Sequence, residues 1–255
     1  EIGGSAMWRA QILETLEQRV DERTSELAEA NRQLSELDQL KNEFIASVNH
    51  ELRTPLTNIK LYLSLLAEGK EERRPKYMEV LQRETGHLTR LLDGSLDLTR
   101  LEKARIAGSH QSITFDVRDL ISTMVERYGG RIQSKQLEFR IDVPDTVVLV
   151  DGNQEQLEQA VANLLENATD YTEQGHVGIE IRAEEEGVRI SVTDSGYGIP
   201  DNEIRNIWKR FYRGKRVRGM THAGYGLGLS IVKEIVELHN GRVMVSSVEN
   251  QGSRF

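Results

Sequence analysis

The chain has 255 residues, is 38% hydrophobic and 29% charged, carries a formal net charge of -8 and contains no cysteine. These values fit a soluble globular protein of two modest domains, exclude a disulfide framework, a thiolate nucleophile and cysteine-ligated zinc, and argue against nucleic acid as the main partner, since phosphate-backbone binding shows as a basic excess. No apolar run approaches the roughly 20 residues of a membrane helix and the opening "EIGGSAMW" is no signal peptide, so the cytoplasm is the expected compartment; the start at Glu1 suggests a fragment of a longer protein, with any sensor or membrane anchor outside it.

The first expected element is long. Between Gly4 and Gly69 there is no glycine, and no proline precedes Pro55, so one helix should run through this region. Leu13, Val20, Leu27, Leu34 and Val48 repeat at seven residues, and Leu16, Ala30, Leu37 and Phe44 form a second series, interrupted by Arg23 and Lys41. Two such series make a heptad seam, and the apolar stripe is too narrow for a helix lying on a globular core. A parallel two-stranded coiled coil is the expectation for residues 1–36.

From Phe44 the stripe widens through Val48, Leu52, Leu56, Ile59, Leu63 and Leu66, as a helix entering a bundle should. Gly69 and Pro75 punctuate a turn, and a second stripe follows through Tyr77, Val80, Leu81, Leu88, Leu91, Leu92, Leu96 and Leu101. A helical hairpin over 37–108 buries only one face, and two hairpins make a four-helix bundle, so the patterning predicts a homodimer.

The hairpin begins with "FIASVNHELRTPL", in which His50 admits three readings. Val48 and Leu52 share the bundle face, which turns His50 about 160° away, toward solvent, and disfavours a buried structural histidine. A zinc site of the H-E-x-x-H kind needs a second histidine one turn on, where this chain has Thr54. A nucleophile fits better: neutral imidazole offers one lone-pair nitrogen, and Glu51 can hold the proton on the other. Pro55 should bend the helix just beyond.

Past "AGSHQS" the strand-like runs "LEFRIDV", "TVVLV", "VGIEIRA" and "GVRISVTD" alternate with helical segments near 117–131, 154–169 and 227–239. Residues 109–255 therefore read as an α/β sandwich, helices on one sheet face, and the whole chain as α+β. Three stretches there carry chemistry. "NLLENATDYT" sets Asn163 and Asn167 one turn apart, suited to a hard cation such as magnesium. "DSGYGIP" offers Asp194 and then Gly196 and Gly198, where backbone can approach a ligand. "GYGLGLSIVKEIVELH" places Gly224, Gly226 and Gly228 before a helix N-terminus, which favours an anion. Neither a P-loop nor a G-x-G-x-x-G fingerprint is present. The basic run "WKRFYRGKRVRGMTHAG" between the last two is expected to act as a mobile lid over a triphosphate.

Taken in order, "FIASVNHELRTPL", "NLLENATDYT", "DSGYGIP", "IWKRFYRG" and "GYGLGLSIVKEIVELHNG" resemble the H, N, G1, F and G2 boxes of the sensor histidine kinases of two-component signalling, over roughly Leu34 to Phe255. The resemblance implies a Bergerat-type ATP-binding domain after the dimeric bundle, with His50 phosphorylated from ATP and the phosphoryl group passed to an aspartate of a response regulator receiver domain. It implies Glu51 as acid/base partner, Thr54 as the residue that positions water in the reverse phosphatase reaction, and Asn163 and Asn167 as Mg2+ ligands. Tyr171 would lie against adenine, Asp194 would accept from its amino group, and Arg213 would reach the phosphates. Gly196, Gly198, Gly224, Gly226 and Gly228 would shape the pocket and lid hinges. The coiled coil would join an upstream sensor domain. Two positions depart from the family: Asn49 replaces a usual serine, and Asp170 replaces a usual lysine. Three residues after Asn167, Asp170 should point its carboxylate toward the magnesium and phosphates. Rival readings are a pseudokinase scaffold and a simple ATPase clamp.

Overall fold

The structure is a computed structural model that describes residues 2–68, 71–108, 112–185, 187–214, 216 and 226–255; within the helices the side chains of residues 2–18, 21, 33, 34, 36, 37, 40, 41, 43, 44, 47, 50, 68, 106 and 107 lie outside the description. The chain divides into two compact units, residues 1–54 and 55–255.

The first unit is helical. Helix α1 (Ile2–Glu68) runs on through Pro55. Its exposed face carries Arg23–Glu26 and Arg32–Glu29 ion pairs, each 2.8 Å and three residues apart, which in water contribute only a few tenths of a kcal/mol apiece. The described seam residues Val20 and Leu27 are exposed on the single chain.

The second unit starts with the end of α1, a 3₁₀ turn at Glu71–Arg73 and helix α2 (Arg74–Ala107), which carries its proline in the first turn and ends on a left-handed Gly108. Tyr62 and Tyr77 meet across the turn with ring centroids 5.8 Å apart. Val80, Leu91, Leu98 and Leu101 of α2 are buried, while Leu56, Leu61, Leu63, Leu92 and Leu96 are exposed.

Strand β1 (Ile113–Asp116) leads into helix α3 (Val117–Ser134), and β2 (Glu138–Asp142) and β3 (Leu149–Gly152) lead to helix α4 (Gln154–Asp170). Then come β4 (His176–Glu184), β5 (Gly187–Asp194), the single turn α5 (Asp201–Ile204), helix α6 (Gly228–Leu238), and strands β6 (Ser246–Val248) and β7 (Gly252–Arg254). Among the described residues β1 pairs only with β3, and the five-stranded sheet has the order β2-β4-β5-β7-β6, parallel at β2-β4 and antiparallel elsewhere.

Side-chain alternation explains the layers. On β4, Val177, Ile179 and Ile181 face a core shared with Val192 of β5, while Glu180 and Arg182 point the other way. The polar face carries an Arg182–Glu180 pair of 2.7 Å and an Arg189–Glu184 pair of 2.6 Å. Against the apolar face lie α3, through Leu120, Ile121, Met124 and Ile132, α4, through Val161, Leu164 and Leu165, and α6, through Ile231, Val232 and Ile235. Each helix begins where a side chain or glycine permits: Asp116 accepts from Arg118 N–H at 3.1 Å and Asn153 from Gln156 N–H at 3.1 Å. The Arg118 guanidinium beside Asp116 holds its carboxyl down to about 2. His239 closes the α4 start from behind: Asn153 N–H donates to Nε2 at 2.9 Å, so Nδ1 carries the proton donated to Ile235 O at 2.7 Å.

Helix α2 joins this core through Leu98 and Leu101. Around them, Gln159 donates to Asp97 at 2.7 Å, Arg105 pairs with Glu234 at 3.5 Å, and Arg210 pairs with Glu102. Gly94 faces the start of α6, where a methyl group on it would stand 3.3 Å from Leu227 Cδ1.

Candidate functional site

Several segments of the sheet domain converge on a cleft that opens to solvent. One wall is the last turn of α4, with Asn167, Ala168 and Tyr171; a second is the turn after β5, from Asp194 through Tyr197 to Pro200. Ile207, Tyr212, Arg213 and Leu229 close a third side, and Ser253 and Phe255 of the C-terminal hairpin a fourth. The lining is apolar and aromatic with a few polar groups, as a small-molecule site should be.

Asp194 sits at the end of β5 and accepts from Gly196 N–H at 2.8 Å. Burial pushes its carboxyl up from the ordinary value, and the Gly196 and Ser253 hydrogen bonds only partly draw it back. It is thus an acceptor with little water around it, suited to an exocyclic amine. Burial likewise raises Tyr171, against the nearby Arg213 charge.

Several site glycines are required by backbone geometry, among them Gly196, where a Cβ would lie 2.2 Å from Tyr171 O. Gly198 has φ of +63° and a Cβ there would lie 2.0 Å from Val248 O; Gly226 has φ of +71° and a Cβ there would lie 2.5 Å from Tyr212 O. Gly226 O also accepts from Phe211 N–H at 2.9 Å, which ties the Trp208–Tyr212 turn to the start of α6. Gly228 opens α6 beside Asn163, whose Oδ1 would be 3.1 Å from an added Cβ. Asn163 stands one turn before Asn167 and donates its amide to Gln159 O at 3.0 Å; Asn167 lines the cleft and Asn163 does not.

In α1, Glu51 is half-buried and Thr54 exposed, beside a buried Pro55. The His50 backbone is helical, but its side chain lies outside the described residues, as do Gly224 and the stretch 217–225 on which the lid expectation falls.

Residues 40–104 match the family model "His Kinase A (phospho-acceptor) domain", and residues 152–255 match "Histidine kinase-, DNA gyrase B-, and HSP90-like ATPase". The solved mycobacterial sensor histidine kinase MprB is 32% identical, covering 56% of this chain and 93% of that one, with a TM-score of 0.50. The chain belongs to the sensor histidine kinases. Sensor histidine kinase WalK of Bacillus subtilis is 35% identical over 85% of this chain and 36% of its own length. Full-length ShkA, solved in complex with AMPPNP, is 30% identical over 84% of this chain and 44% of that one, with a TM-score of 0.61. The chain spans about a third to a half of the length of the curated relatives it matches, 36% of one and 53% of another.

One expectation for this histidine kinase is corrected. Asp170 does not turn toward the cleft: its Oδ1 pairs with Arg131 at 2.8 Å and with Lys135 at 3.5 Å, both on α3, and Lys135 also donates to Thr169 O at 2.6 Å. As the last residue of α4, Asp170 lies among carbonyls that attract cations, and the basic end of α3 answers both.

Sequence reasoning passed over Tyr197, Leu229, Ser253 and Phe255, all of which line the cleft, and took Arg216, which lines it too, only as part of a lid. Tyr197 had a visible signal, an aromatic residue between two glycines of "DSGYGIP". Ser253 had none, since it reaches the site only because β7 pairs Ser253 with Asp194.

Proposed function

We propose that this kinase region phosphorylates His50 from ATP and passes the phosphoryl group to an aspartate on the receiver domain of a response regulator. The observation that carries the reading is the cleft, where Asn167, Tyr171 and Asp194 line one aromatic pocket in a chain whose 40–104 segment matches a phospho-acceptor domain. That ShkA was solved in complex with AMPPNP supports a nucleotide ligand for this chain. One imidazole nitrogen of His50 attacks the γ-phosphorus, the bond to the β–γ bridging oxygen breaks, ADP leaves, and Glu51 takes the proton from the other nitrogen. Such transfer depends on positioning and charge more than on acid/base strength.

Asp194 accepts from the adenine amino group, Tyr171 packs on the base and Arg213 serves the phosphates. Asn163 and Asn167 fit magnesium by chemistry: they are neutral oxygen donors, magnesium takes few protein ligands beside phosphate oxygens, and the Asn163 amide nitrogen is already committed to Gln159. When bound, magnesium neutralises charge on the β- and γ-phosphates. Among the described residues no cluster of histidine and carboxylate offers an alternative metal site.

The working unit is a homodimer in the cytoplasm, divided into a signalling coiled coil (1–36), a dimerisation and phosphotransfer hairpin (37–108) and an ATP-binding domain (109–255), with a sensor upstream. Exposed Leu92 and Leu96 supply a face for the second hairpin. Thr54 positions water for the reverse reaction.

Incubation with γ-labelled ATP and magnesium tests the reading. Acid-labile, alkali-stable label should appear on protein and vanish in His50→Gln, with nucleotide binding unchanged. Phosphate release without labelled protein would mean an ATPase clamp, and label surviving in the variant would move the acceptor elsewhere. Thr54→Ala should slow dephosphorylation of the regulator while self-labelling persists; equal loss of both would reduce Thr54 to a helix residue.

A further inference from the structure

The basic run after Trp208 is expected to serve phosphates, yet Arg216 within it is tied to the turn after β5. Arg216 lies over the Tyr197 ring, with Cζ 4.4 Å from the ring centroid. Its Nη1 donates to Asn250 Oδ1 at 2.5 Å. Asn250 in turn donates its N–H to Tyr197 O at 2.7 Å, from a left-handed φ of 61° that asparagine tolerates. Tyr197 is fixed on its other sides as well: its N–H donates to Tyr171 O at 3.2 Å and its hydroxyl to Glu173. The Glu173 bond raises the phenol above its ordinary value, so the hydroxyl remains a donor across the neutral range.

Every one of these bonds belongs to the end of the cleft that holds Asp194 and Tyr171. Tyr197 follows Asp194 by three residues and hangs by its backbone from Tyr171. Among the described residues no carboxylate pairs with Arg216, so its place is set by a ring face and a carboxamide oxygen. An arginine that reached for a triphosphate would need a free arm; this one is engaged by a ring face and an amide oxygen. Both Tyr197 and Arg216 line the cleft.

We propose that Arg216 and Tyr197 form a preassembled wall for the nucleobase, so that two arginines three residues apart divide the nucleotide, Arg213 taking the phosphates and Arg216 the base. The inference rests on the cleft being the ATP site. A guanidinium stacked on an aromatic ring offers a planar surface to a purine, and cation–π contacts at partly exposed sites correspond to roughly two- to fivefold in affinity.

Titration of the wild-type chain and of Arg216→Gln and Tyr197→Leu with adenosine, AMP, ADP and Mg-ATP tests this. Each variant should bind all four ligands about fivefold more weakly, by the same factor for each, and the double variant should lose no more than the worse single one. Tyr197→Phe, which keeps the ring and loses only the Glu173 bond, should stay within about twofold of wild type, which separates loss of the wall from loss of the fold. A deficit for Arg216→Gln that grows from adenosine to ATP would make Arg216 a phosphate ligand and overturn the proposal; unchanged affinity in both single variants would also overturn it. If wild type binds no adenine nucleotide, the ATP-site reading itself falls, and the wall with it.

Discussion

The hairpin stem and the sheet domain satisfy their apolar residues in different ways. In the sheet domain Leu165, Ile181 and Ile235 are completely buried within one chain, and three helices and a sheet close over them. Along the stem Leu63 and Leu96 remain 54% exposed. Each leucine sits on a helical stripe, so the sequence pattern is equally strong in both regions, and only the supply of a covering surface differs. A helix pattern therefore states that a face will be covered, and leaves open whether the same chain covers it.

The largest expected effect sets these regions against each other. Leu165→Ala should cost about 2–5 kcal/mol and lower the melting temperature of the sheet domain at every protein concentration. Leu92→Asp with Leu96→Asp should leave that transition in place and turn the chain monomeric in sedimentation. If the paired stem variant lowers the domain transition as much as Leu165→Ala does, or leaves the oligomeric state unchanged, the contrast between self-covered and partner-covered faces is wrong.

A smaller effect sharpens the picture of the domain interior. Burial raises Asp194, so protonation sets in above its ordinary 3.8. Only the ionised form accepts from an adenine amine on either oxygen, so Mg-ATP affinity should hold at neutral pH and fall as pH drops through the raised value, by up to about tenfold per unit below it. Asp194→Asn should bind weakly with no such dependence. A wild-type profile that stays flat down to 3.8 would separate Asp194 from the amine.

The smallest expected effect concerns the link between α3 and α4. Asp170→Lys places a third cation beside Arg131 and Lys135 and should cost about 1 kcal/mol of stability, with nucleotide affinity changed less than about twofold. Tighter ATP binding in this variant would return Asp170 to the phosphate rim.

The long periodic elements were legible in the chain: α3, α4 and α6, and strands β4 and β5, coincide closely with segments whose apolar spacing announced them. Strands β1, β6 and β7 were not, because "ITFD", "SSV" and "GSR" are only three or four residues long and largely polar. β1 and β7 are paired by residues far along the chain, around Asp151 and Asp194, whereas β6 pairs with β7 in a hairpin. The "TVVLV" run begins its strand late, at Leu149, since Val148 donates its N–H to Asp116 at 3.3 Å and its carbonyl accepts from Val117 N–H at 2.9 Å. For the site, glycine and asparagine spacing pointed to Asn167, Asp194, Gly198 and Gly226. What it missed came from the C-terminal strand and from side-chain stacking, which carry no spacing at all. Asp170 failed for a related reason: helix periodicity places a residue on a face, but the partner is chosen by what packs beside it, here the basic end of α3.

Gly94 has a mechanical consequence. Its bare backbone admits Leu227, and Leu227 stands between Gly226 and Gly228, two residues before the cleft-lining Leu229. Turning α2 about its own axis by one residue's worth, about 100°, would carry the side chain of Asp93 or Ser95 into the notch, and Leu227 would have to withdraw. The stem helix thus bears on the start of α6: beside the Leu98, Leu101 and Arg105–Glu234 contacts, a turn of α2 would press at Gly94 on Leu227, two residues before the cleft-lining Leu229.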